Sequence, residues 1–197
     1  MPRMSHLYRI MRDFVLSLDD TLPGQFEVTR EGIVHDLMAP VRPHQLTALY
    51  VRERLDQLLP DGIVAHMGAP DVEDFFEGIM RHPDVMVIAE ADMEGDGAFD
   101  PRTLVAAVEI VSRSNPENDW VGKIRDYPLL GIPVYAIFDP RTGSGAVFTD
   151  IHPTPAGPRY ATRKDFGYGE DVTIADWTIP TDGLPRYADD STAQGAS

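Results

Sequence analysis

The stretch Leu104-Val105-Ala106-Ala107-Val108-Glu109-Ile110-Val111 decides how the rest of this chain is read. An apolar run of that length is a strand covered on both faces, and an ionised carboxylate inside it is costly unless it is paired or holds a metal. Working outward, Asp84-Val85-Met86-Val87-Ile88-Ala89 is a second apolar run, opened by an acid straight after Pro83. On the other side, Ser114-Asn115-Pro116-Glu117 starts a helix whose Val121, Ile124 and Tyr127 face the core. Pro128 and Gly131 mark its weakening and its end. That helix carries Lys123. Two carboxylates on neighbouring strands and an ammonium from the next helix are the parts of a divalent-metal hydrolytic site.

The flanking pattern fills in the remaining elements. Residues 4–18 have helical spacing, stopped by Pro23-Gly24, and residues 25–28 and 32–37 read as a short hairpin. An amphipathic helix over 44–59 ends at Pro60-Asp61-Gly62, and Ile63 to Met67 follows as a strand. Two acidic stretches, 68–82 and 90–100, read as loops. Val134 to Phe138 is a short buried strand, with outer strands at 146–150 and 172–174. The polar segment 180–197 reads as a disordered tail. The order defines an α/β (α+β) domain around one mixed sheet, with an N-terminal helix and hairpin in front.

At 197 residues the chain suits one domain with a sizeable core. No apolar run reaches the length of a membrane span, the N-terminus lacks a signal-peptide pattern, and cysteine is absent. A cytoplasmic location is the expectation. The net charge of −15 argues against a broad basic surface for nucleic acid. Lysine occurs only at Lys123 and Lys164, so a Lys at the site is either chance or a need for a compact ammonium.

Each candidate has a plain structural reading beside the functional one. Asp84 is either a turn residue after Pro83 or a metal ligand; Glu109 is either a ligand or the partner of Arg113 or Arg125. Glu27 and His44 are either a hairpin-edge charge and a helix-start polar residue, or further contacts to metal and phosphate. Asp119, four residues before Lys123, is an i,i+4 partner that holds the Lys side chain. Tyr127 shares the helical face of Lys123 and reads as core.

The series Pro83-Asp84, Val108-Glu109-Ile110-Val111-Ser112, Asp119, Lys123-x-x-x-Tyr127 and Gly131-Ile132-Pro133-x-Tyr135-x-Ile137-x-Asp139-Pro140 resembles the Uma-type family of restriction endonucleases. Phe26-Glu27, Gly32-Ile33-Val34 and His44 fit its amino-terminal part, so the likeness spans about residues 25–150. The family belongs to the restriction-endonuclease-like superfamily named for its PD-(D/E)XK motif.

The resemblance implies a nuclease core with Asp84 and Glu109 as ligands of Mg²⁺ or Mn²⁺, and Lys123 replacing the motif Lys. Val111 stands two residues after the acid, where the parent motif has that Lys. Val134 and Ala136 also depart from the family, which favours an acid and a Trp there. The implied division is a helical segment over 1–24, one nuclease-like domain over 25–179 and the tail over 180–197. DNA is the implied substrate and a homodimer the implied assembly. The alternative is a nuclease fold that no longer cuts and serves as a binding or regulatory module.

Overall fold

The computed structural model describes residues 5–18, 22, 24–36 and 41–188. Its centre is a six-stranded mixed sheet built from β3 (Ile63–Met67), β6 (Val85–Ala89), β7 (Leu104–Ile110), β8 (Tyr135–Asp139), β9 (Ser144–His152) and β10 (Arg159–Gly167). The strands lie in the order β10-β9-β8-β7-β6-β3. Only β7 and β8 run parallel, because the helical segment between them carries the chain back to the same end of the sheet. A smaller sheet, ordered β2-β1-β5-β4, joins the hairpin β1 (Gln25–Thr29) and β2 (Gly32–Asp36) to β4 (Val72–Asp74) and β5 (Ile79–Arg81). A ribbon of β11 (Asp171–Ile174) and β12 (Trp177–Pro180) completes the strands.

The period of two along β7 sorts its side chains between two layers. Ala106, Val108 and Ile110 pack on α2 (Arg42–Asp56) through Ala48, Val51 and Leu55, together with Val172 and Ile179 of the ribbon. Ala107 and Val111 face the opposite layer, where Tyr127, Leu130 and Ile132 cover Met86, Tyr135 and Ile137. Glu109 has the same parity as Ala107 and Val111, so it points into this second layer. The helix α1 (His6–Ser17) buries Tyr8 and Val15 against Val28 and Met80 of the smaller sheet.

The covering segment runs from a π-helical turn, Asn118–Lys123, into α3 (Ile124–Leu129). A widened turn of this kind is a recurrent feature of functional sites. Its end follows the sequence expectation: Gly131 takes the left-handed conformation at φ 79°, and the Ile132 N–H closes back on the Tyr127 carbonyl.

Three expectations are corrected, and one strand that the sequence did not suggest is added. Val121, expected to face the core, is exposed. The stretch 68–82 holds the strands β4 and β5, and their acids are buried by partners from elsewhere in the sequence. Glu73 accepts from Tyr8 and Arg12, and Asp74 accepts from Arg102. Residues 159–167 form a nine-residue edge strand whose exposed Arg, Thr and Lys side chains conceal its pairing with β9. The segment expected to be disordered from 180 is ordered through Ala188. Thr181, Leu184 and Tyr187 are buried, and Tyr187 Oη donates to the Val111 carbonyl at 2.8 Å. Residues 189–197 lie outside the described residues. Among those described, no helix is long and apolar enough to cross a membrane.

Candidate active site

The register of β6 on β7 pairs Val85 with Val108, so the next step along the ladder sets Asp84 beside Glu109. The Asp84 carboxylate stays there because its Oδ2 accepts the Ile110 N–H at 2.7 Å. His44, near the start of α2, brings its Nε2 to 3.4 Å from the same oxygen. Burial acts to raise the Asp84 carboxyl, but His44, Lys123 and the Ile110 N–H outweigh it and hold it below the usual value. His44 is correspondingly raised: burial would lower it, and Asp84 reverses that.

Lys123 approaches from the facing layer. Its Nζ lies 2.8 Å from Glu109 Oε2, 3.1 Å from Asp119 Oδ1 and 3.6 Å from Glu27 Oε1. Tyr127, four residues further on, donates its hydroxyl to Glu109 Oε1. The spacing 119–123–127 therefore brings all three side chains to one face, turned towards β7. Burial raises Glu109 well above the usual carboxylate value, and the nearby Asp84, Asp119 and Glu27 add to this against the pull of Lys123. Asp119 is raised to about 6, chiefly by burial and against the pull of Lys123. Lys123 itself is raised: burial disfavours its charge, but the surrounding carboxylates overcome that penalty.

Glu27 reaches the group from β1. Arg81 Nη1 donates to its Oε2 at 2.7 Å, Asn118 Nδ2 donates to the same oxygen at 2.8 Å, and the His82 N–H donates to Oε1 at 3.0 Å. Burial acts to raise it, and Lys123 and Arg81 bring it down to about 2. Arg81 in turn donates to Asp126 Oδ2 at 2.6 Å.

Asp84, Glu109, Lys123, Asp119, Glu27 and His44 all line one polar cavity of about 40 Å³ at the end of β7. At roughly 10–15 Å³ per water, it accommodates a few waters. The structural partner of Glu109 is Lys123. Arg113 stacks on Tyr187 and Arg125 pairs with Glu31 and Asp126, so neither Arg named from the sequence serves it. Arg81 and Asn118 were not singled out in the sequence. An Arg closing the apolar pair Ile79-Met80 was the available signal, hidden because the stretch read as a loop.

The donor chemistry suits a hard divalent cation. Mg²⁺ is commonly held by one or two carboxylates plus waters. Asp84 meets its neighbours through Oδ2, and among the described residues His44 Nδ1 is buried without a hydrogen-bond partner. Among the described residues no three His, Cys, Asp or Glu side chains form a metal-binding cluster, so a fit here is that of two carboxylates and solvent.

A sandwich of helices on a mixed sheet, with acids and a Lys gathered where β6 and β7 meet, defines a nuclease-like α+β fold. The same fold occurs in a crystal structure from Anabaena variabilis ATCC 29413, described as "a putative nuclease belonging to DUF820". The two superimpose with a TM-score of 0.59 at 13% identity, over 78% of this chain and 85% of that one. Identity that low speaks for the fold alone. The chain belongs to the Uma2 family, described as "Putative restriction endonuclease", which matches residues 13–176. No curated protein matches the sequence.

Proposed function

We propose that this protein is a metal-dependent DNA endonuclease, with Asp84 and Glu109 as ligands of Mg²⁺ or Mn²⁺ and Lys123 as the residue that positions the attacking water. The observation that supports it is the meeting of these three side chains, from two strands and a facing helix, at one small polar cavity. A divalent ion held there supplies Lewis acidity to a phosphoryl oxygen and lowers the pKa of a bound water.

The chain's own residues do the rest. Asp84 is kept ionised and aimed by the Ile110 N–H and His44. Tyr127 fixes the orientation of Glu109 through its hydroxyl. Lys123 pairs with Glu109 in the structure, and with a divalent ion held by Asp84 and Glu109 its ammonium would serve to orient the water and to stabilise developing negative charge. Asp119 and Glu27 keep that ammonium within reach. The proposed compartment is the cytoplasm, and two copies acting on opposite strands is the assembly this reading implies.

A second reading, a non-cutting module, is favoured by one observation. Glu109 is already paired with a buried Lys in a chain of net charge −15. Plasmid nicking in Mg²⁺ or Mn²⁺ by the wild type and by Glu109→Gln separates the two. Cleavage by the wild type alone supports the nuclease. Equal cleavage by both overturns the site. Absence of cleavage by either, with no saturable Mn²⁺ binding that Asp84→Asn removes, favours the module.

A further inference from the structure

A second cleft, of about 420 Å³, opens on the other side of the segment that carries Lys123 and shares no lining residue with the catalytic cavity. Asp119 and Lys123 face one cavity, while Trp120, Val121, Ile124 and Arg125 line the other, so the two sites use opposite faces of one helical segment. The outer wall is the edge strand β10.

The lining is unlike the rest of the protein. The chain has 32 acidic and 17 basic residues, yet among the described residues three Arg and no Asp or Glu line this cleft. The three are Arg125, Arg159 and Arg163. Arg125 and Arg163 are paired with acids outside the cleft, whereas the exposed Arg159 side chain has no ion pair among the described residues. The floor is aromatic, from Trp120, Phe148 and Tyr160. The Arg163 guanidinium lies over two of these rings, 5.4 Å from the Trp120 centroid and 5.6 Å from that of Phe148. Its side chain is 53% exposed, which leaves its other face open to a flat partner.

A planar ring stacks on a guanidinium held in this way, and an anion beside it is drawn to Arg159. The volume lies within the range of small-molecule sites, roughly 300–1,000 Å³. A ligand that joins a flat heteroaromatic ring to a phosphate satisfies both features. We propose that this cleft binds a nucleoside 5′-phosphate unit, its base stacked on the Arg163–Trp120 pair and its phosphate at Arg159. The unit comes from a free nucleotide or from one residue of a single strand.

The test is calorimetric titration of the full chain, with Trp fluorescence in parallel. The probes are adenosine 5′-monophosphate, adenosine, inorganic phosphate and a tetrathymidylate. The monophosphate saturates, and adenosine and phosphate alone bind far more weakly. Arg159→Gln and Arg163→Gln, both at exposed positions, each weaken binding about tenfold, as expected for loss of one charged contact. Tighter binding of the tetrathymidylate through the same two Arg assigns the unit to a strand; its failure beside a binding monophosphate assigns a free nucleotide. Absence of saturation with every probe overturns the proposal. So does binding that both Arg variants retain, or binding that Glu109→Gln abolishes, since the ligand would then occupy the catalytic cavity. Loss of nuclease activity has no bearing on these readouts.

Discussion

Glu27 is a carboxylate removed from water and kept ionised by what surrounds it: an Arg, a Lys, an amide side chain and a backbone N–H. Its folded-state value of about 2 lies below the ordinary 4.5, so its ionised form stabilises the fold at neutral pH. That contribution, on the order of 3 kcal/mol, is lost as the pH falls from 4.5 through about 2. Asp119 acts in the opposite sense: raised from 3.8 to about 6, it lowers stability as the pH climbs through that interval. Urea midpoints across acid pH should therefore show Glu27→Gln well below the wild type near neutrality, with the gap closing as Glu27 titrates. A gap that stays constant with pH would contradict the role given to Arg81 and Lys123. In the sequence Glu27 was a hairpin acid with two readings, and nothing local named its partners. Arg81 lies 54 residues away from it.

At the scale of elements, β7 and its neighbours were legible because a strand covered on both faces must be apolar throughout. The one acid in the run was then an exception that required a partner. Strands β4 and β5 were not legible, since three residues are too few to show a period and their acids were satisfied from α1 and Arg102. The pairing of β8 with β9 depends on a residue with no signal of its own. A Cβ at Gly145 would lie 2.1 Å from the Ile137 carbonyl oxygen and 2.4 Å from the Phe166 ring. The backbone oxygen cannot move without breaking the ladder. Gly145→Ala should therefore destabilise by about 1–3 kcal/mol, the range for overpacking. Its thermal midpoint, measured beside the wild type, checks this; an unchanged midpoint would mean that β9 can shift away from β8 at no cost.

At the scale of the whole molecule, the net charge of −15 sets how the proposed nuclease would meet DNA. Proteins that neutralise many phosphates lose affinity by orders of magnitude between ~50 and ~200 mM salt. Here long-range repulsion is screened by the same salt, beyond a Debye length of about 8–10 Å. Cleavage by this protein should consequently respond weakly to salt, or rise with it, over that range; a steep fall would indicate a basic contact surface that the chain's composition does not reveal. What the sequence by itself determined was the α+β class, the two-faced burial of β7, the chemistry available at 84, 109 and 123, and the acidic exterior. These depend on residue type and short-range period. Tertiary structure alone decided that Lys123 is the partner of Glu109, that Arg81 anchors Glu27, and that residues 181–188 close over the end of β7. It also decided that three Arg gather on an aromatic floor. The reason is physical: a buried charge is satisfied by whichever opposite group the packing of layers brings within about 3 Å, and that group can lie anywhere along the chain.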